Sequence, residues 1–158
     1  MRSVYIETTI PSFYYDSRRS PRIVTWRDAT RLWWDRYRFG YQICTSLVTR
    51  AELSLSPPEK AKRALKMLDE AELLDEPPEL VAVADYYIEQ HAMPREAGGD
   101  AFHLAMASIH HVDFLLTWNC QHLANANKIQ HLTILNRQLG LPTPVITTPL
   151  TLIPEEQT

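Results

Sequence analysis

Two kinds of apolar run alternate along the chain. Short runs rich in β-branched and aromatic side chains stand at Ser3 to Ile6, Tyr41 to Thr45 and Asp113 to Thr117, and each predicts a buried strand. Between them apolar positions recur at steps of three and four, the period of an amphipathic helix. Ile23, Trp26, Ala29, Leu32, Trp33 and Tyr37 mark one helix over Pro21 to Arg38, which Gly40 ends. Ser46 is a candidate cap for a second helix carrying Val48, Ala51, Glu52 and Leu53, closed by Pro57 and Pro58. Ala61, Ala64, Leu65, Leu68 and Ala71 line a third helix. Leu80, Val83, Ala84, Tyr87 and Ile88 line a fourth, and these two are expected to form a hairpin about Pro77 and Pro78. Asp100 opens a helix with a small-residue stripe, Ala101, Leu104, Ala105, Ser108 and Ile109, suited to close packing on a sheet. A last helix runs through Ile129 to Leu139 and stops at Gly140, and Pro144 to Ile153 holds a final strand.

Strands that alternate with helices and read as continuous apolar runs argue for a parallel sheet covered on both faces. The expected fold class is therefore α/β, a single three-layer α/β/α domain with a central, mostly parallel sheet. The domain is assigned to residues 1–150 and a C-terminal tail to residues 151–158.

Composition narrows the class. A chain of 158 residues, 45% hydrophobic and 22% charged, fits one globular domain and excludes disorder, collagen and coiled coil. With 16 Lys and Arg against 19 Asp and Glu, the net charge of −3 gives no global positive field, so a polyanion partner must use a local basic patch. One such patch exists. From Asp16 to Phe39 seven arginines face three aspartates, a local charge of plus four. Cys44 and Cys120, far apart and each in or beside an apolar run, suggest reduced core thiols in a cytosolic protein. The first apolar run is broken by Glu7 and Pro11, unlike a signal peptide, and nothing approaches the roughly 20 apolar residues of a membrane span. Cytoplasmic localisation without membrane association is the expectation.

In an open parallel sheet, sites lie beyond the carboxyl ends of the strands. Glu7 closes the first strand, Glu52 follows the second, Asp100 opens the small-residue helix, and Asn119 follows the FLLT strand. Gathered at one rim, these would form a cluster of hard oxygen ligands, the chemistry of Mg²⁺ or Mn²⁺. Three close carboxylates repel one another unless a cation lies among them, and such a cluster suits metal-assisted phosphodiester hydrolysis by an activated water. Taken singly, Asp100 also reads as a helix cap, Glu52 as a solvated charge and Asn119 as a turn residue. His103, His110, His111 and His122 lack zinc-like spacing with the cysteines and read as packing or surface groups.

YIETTIPS, the TRAEL segment around Glu52, DAFHLAMAS from Asp100 and FLLTWNCQHL, taken in order, resemble the signature of the PIN domain over nearly the whole chain, in the style of VapC-like toxins. The resemblance implies a Mg²⁺- or Mn²⁺-dependent endoribonuclease on a PIN-like α/β/α fold. Its expected substrate is single-stranded RNA, and an antitoxin partner and a homodimer are expected with it. Glu7 falls where the family has an Asp, Glu52 matches its helical Glu, and Asp100 its Asp; these three would hold the metal. Asn119 or Gln121 stands at the fourth acidic position, where this chain has amides. Thr8 and Thr117 take positions of supporting hydroxyls. Arg18, Arg19 and Arg22 in the SRRSPR loop are the candidate RNA contacts, with nearby aromatics able to stack bases, although Trp26 and Trp33 are expected to face the core. Losing the fourth carboxylate removes a charge and keeps an oxygen. That leaves open an alternative: a noncatalytic nucleic-acid- or protein-binding module with a degenerate acidic site.

Overall fold

The computed structural model describes residues 1–154. Among them five strands form one sheet: β1 (Ser3–Ile6), β2 (Gln42–Thr45), β3 (Glu72–Leu73), β4 (Phe114–Leu116) and β5 (Val145–Thr147). Their order is β3-β2-β1-β4-β5 and every neighbouring pair is parallel. Seven helices surround it: α1 (Thr9–Tyr14), α2 (Pro21–Leu32), α3 (Leu47–Leu53), α4 (Pro58–Met67), α5 (Leu80–Glu89), α6 (Gly98–Ile109) and α7 (Ala126–Gln138). This is the expected three-layer α/β/α class.

The pleat sorts the continuous apolar runs onto two faces. Tyr5, Cys44, Leu115 and Ile146 pack under α5, α6 and α7. Val4, Ile6 and Leu116 face the opposite way, against Ile10, Trp33, Trp34, Leu53, Ala64 and Met67. Helix α6 is the most deeply placed, because its small residues let it lie close to the sheet: Ala101 and every residue from His103 to Ser108 are buried. Helix α2 continues without a break into a π turn, Trp33–Tyr37, and a 3-10 turn, Arg38–Gly40. The wider turn lets the adjacent Trp33 and Trp34 both point inward. Trp26 is stacked on Trp118 with centroids 4.6 Å apart, and Trp118 Nε1 donates to Thr30 Oγ1 at 2.7 Å.

Several local expectations need correction. The third and fourth predicted helices, α4 and α5, do not form a hairpin: β3 lies between them in the chain, and they cover opposite faces of the sheet. Cys120 is exposed, so only Cys44 is a core thiol, and burial pushes Cys44 up to about 12. Asp100 does not cap α6, which begins at Gly98 and leaves Asp100 in its first turn. The segment assigned as a tail is anchored at its start, because Leu152 is buried in the core, while residues 155–158 lie outside the described residues.

Candidate active site at the switch point of the sheet

Chain order sends β1 to β2 on one side, and the return from β3 to β4 passes to the other side of β1. The switch point of the sheet therefore lies between β1 and β4, where a parallel α/β fold opens a crevice at its carboxyl edge. Glu7 and Thr117 are the first residues beyond these two strands. Glu7 is buried at 3% exposure, and its Oε2 accepts from Thr117 Oγ1 at 2.6 Å, Thr9 Oγ1 at 2.5 Å and the Thr9 amide at 3.1 Å. Thr9 Oγ1 in turn accepts from the Trp118 amide, so the two strand ends are tied together through this carboxylate.

Glu52 comes from α3, whose start is fixed by the predicted cap: Ser46 Oγ accepts from the Thr49 amide at 3.3 Å. Glu52 Oε1 receives Thr8 Oγ1 at 2.6 Å and meets His103 Nε2 at 2.5 Å. His103 lies three residues after Asp100, hence on the same face of α6, and is fully buried. Its Nδ1 is 2.7 Å from Tyr5 Oη, which is also 2.6 Å from Ser46 Oγ. Burial opposes the charge on Glu52, but the hydrogen bonds from His103 and Thr8 prevail and hold the carboxyl below its usual range. Burial likewise opposes the charge on His103, and Tyr5, Glu52 and Glu7 together prevail, raising the imidazole.

Asp100 Oδ2 accepts from Asn119 Nδ2 at 2.9 Å. Asn119 Oδ1 accepts the amides of Gln121 and His122, and its own amide donates to Thr117 Oγ1 at 2.9 Å. The Asn thus shapes its turn and reaches Asp100 with the same side chain. Gln121, the other amide considered for this position, is exposed. Burial, with the like charges of Glu7 and Glu52, lifts Asp100 to about 6 against the opposing effects of His103 and Asn119. Residues 7, 52 and 100, far apart in sequence, therefore share one electrostatic neighbourhood.

Thr9 and His103 are the members that reading the sequence missed. A hydroxyl two residues after a strand-end carboxylate is the signal for Thr9. For His103 the signal is its spacing from Asp100, which places both on one helix face. The loop arginines lie apart in role: Arg18 is engaged by Asp16, with Nη2 to Oδ2 at 2.6 Å, and holds that carboxyl down at about 2. Arg22 lies over the Trp26 ring at 5.0 Å, and Arg19 is exposed.

One oxygen of each acid, Glu7 Oε1, Glu52 Oε2 and Asp100 Oδ1, carries no hydrogen bond among the described residues. An all-oxygen donor set of this kind fits a hard divalent cation. In the present arrangement, with each acid drawn to its own protein donor, no three His, Cys, Asp or Glu side chains among the described residues are grouped closely enough to hold a metal ion. No helix among them is long and apolar enough to cross a membrane.

No family model and no curated protein matches the chain. A solved structure is similar to it: VapBC2 from Rickettsia felis bound to a DNA fragment from their promoter, with a TM-score of 0.52 at 13% identity, covering 92% of this chain and 98% of that chain. At that identity the likeness is one of fold, and it extends the three-layer α/β/α architecture to nearly the full length of both chains.

Proposed function

We propose that the protein is a Mg²⁺- or Mn²⁺-dependent endoribonuclease of the PIN type, the toxin of a toxin–antitoxin pair. The observation that carries the reading is the arrival of Glu7, Glu52 and Asp100 at the switch point, where burial, and after it the charges of Glu7 and Glu52, raise Asp100 to about 6. Glu7, Glu52 and Asp100 would hold the ion. When bound, the cation would supply charge to a phosphodiester and lower the pKa of water. Thr8, Thr9 and Thr117 keep the carboxylates from turning away, and Asn119 orients Asp100. Single-stranded RNA would enter along the loop of Arg18, Arg19 and Arg22, where Arg19 is the least engaged. An antitoxin partner and a homodimer belong to this reading, which the fold-level likeness to VapBC2 supports in its fold.

The amide at Asn119, already paired with Asp100, favours a second reading: a binding module that keeps the fold without turnover. One experiment separates them. Single-stranded RNA is incubated with the wild-type protein in Mn²⁺, in chelator, and with an Asp100→Asn variant. Cleavage that requires Mn²⁺ and is lost in the variant is the expected result; RNA binding without cleavage supports the module, and cleavage that survives chelator and variant overturns the metal-dependent reading.

A further inference from the structure

Among the seven arginines between Asp16 and Phe39, Arg22 is held in a way the others are not. Arg18 pairs with Asp16, Arg27 with Asp28 and Arg38 with Glu70, and Arg31 Nε donates to the Tyr14 carbonyl at 2.9 Å. Arg22 is exposed and meets no acceptor among the described residues, yet its guanidinium lies over the Trp26 ring at 5.0 Å. A cation seated on an indole face is ordered by the ring while its N–H donors stay free. Trp26 is locked in turn. Expected to face the core, it is only half-buried, and it is stacked on the buried Trp118 with ring planes 10° apart. Trp118 Nε1 donates to Thr30 Oγ1 at 2.7 Å, and Thr30 Oγ1 donates to the Trp26 carbonyl at 2.6 Å, so hydrogen bonds brace the stacked pair. The Trp118 amide donates to Thr9 Oγ1 at 2.8 Å, which donates to Glu7 Oε2 at 2.5 Å. An unbroken chain of contacts therefore runs from the carboxylate at the switch point to a free guanidinium on the surface.

Resting on the RNA reading above and needing no cation at the rim, we propose that Arg22 is a phosphate contact for single-stranded RNA, held in place relative to Glu7 by the Trp118–Trp26 stack. Arg22 is the binding residue, and Trp26 and Trp118 are positioning residues. Charge complementarity selects the ligand: the stretch carries plus four, and Arg22 is its one ring-ordered cation with no internal acceptor among the described residues. A side chain fixed before binding does not lose its freedom on binding, which is worth about two- to tenfold in affinity. Salt dependence counts the phosphates neutralised, at about 0.7 of log–log slope for each contact on a single strand.

The test measures binding of a fluorescein-labelled oligouridylate to the full chain by anisotropy, over a salt series in chelator. Wild type is compared with Arg22→Ala, Trp26→Leu, Trp26→Phe and Arg137→Ala, the last an exposed arginine of α7 in the opposite layer. Thermal unfolding and the near-ultraviolet circular dichroism of the indoles report the fold and the stack. Arg22→Ala should weaken binding and flatten the slope by about 0.7. Trp26→Leu keeps every charge, so it should weaken binding about two- to tenfold at the wild-type slope. Trp26→Phe retains a ring face and should restore most of the loss, and Arg137→Ala should bind as wild type does. An unchanged slope in Arg22→Ala, wild-type affinity in Trp26→Leu, an equal change in Arg137→Ala, or no binding by the wild type overturns the contact. Cleavage in Mn²⁺, assayed alongside, separates the two readings. Cleavage by the wild type with an unchanged Arg22→Ala slope overturns the contact alone, whereas the expected slopes without cleavage overturn the nuclease and leave the contact standing. Should Trp26→Leu fail to fold, Arg22→Lys takes its place, because it keeps the charge and loses the planar stack, with the same loss expected at the wild-type slope.

Discussion

Asp100 shows how a single residue records its surroundings. Its carboxyl has an ordinary value near 3.8 and is raised to about 6 in the folded chain, first by burial and then by Glu7 and Glu52. Between those two values the folded protein binds more protons than the unfolded one, so stability without metal falls as pH rises through this window. Asp100→Asn should therefore stabilise the metal-free protein at pH 7 by on the order of 1 kcal/mol, allowing for partial solvation, and should give no gain at pH 3. Thermal unfolding in chelator at the two pH values checks this; equal stability at pH 7 would mean that Asp100 is not raised by its surroundings. At this scale the sequence was partly legible. Glu7, Asp100 and Asn119 could be found because each follows or opens a recognisable element at the same rim. His103 was read as packing, since a lone histidine inside an apolar helix carries no local sign of the glutamate it meets from α3, 51 positions away.

Among the elements, α6 links core to site. One face sends Leu104, Ala105 and Ser108 into the layer beneath the sheet, and its first turns present Asp100 and His103 at the rim. Leu104→Ala should cost about 3 kcal/mol by opening a cavity under the helix, read as a fall in the urea midpoint with an unchanged slope. A cost below about 1 kcal/mol would mean that α6 is not packed as described. Elements with strong periodicity were legible: α6, α7 and the three apolar strands lie where the pattern puts them, with boundaries shifted by a few residues. The helical hairpin was misread for a physical reason. Strand β3 consists of Glu72 and Leu73 alone, both exposed at the sheet edge, so it leaves no apolar run to announce that the chain crosses from one face to the other. The π turn after α2 was equally silent, because an inserted residue in a helix alters the burial of its neighbours without altering composition.

For the whole molecule, the main asymmetry is electrostatic: seven arginines in the stretch Asp16 to Phe39 of a chain whose net charge is −3. Part of that charge is internally used, since Arg18 pairs with Asp16 and Arg38 with Glu70. If the remainder meets RNA phosphates, affinity for a single-stranded oligonucleotide should fall with salt, and each lost contact should flatten the log–log slope by about 0.7. Arg19→Ala is expected to show that change, measured by fluorescence anisotropy over a salt series. An unaltered slope would place the RNA path elsewhere. Chain order of the sheet was beyond reading from residue patterns, because parallel strands carry the same apolar signal whichever neighbour they take.

That order has a consequence for how the protein is made. Strand β1 is made before the other four strands yet occupies the middle of the sheet, with Tyr5 beside both Cys44 and Leu115. Glu7 waits for Thr117, 110 positions later, before its hydrogen-bond set is complete. A nascent chain halted anywhere short of β4 has an incomplete acidic rim, so the cluster at the switch point closes only once Thr117 has joined the sheet.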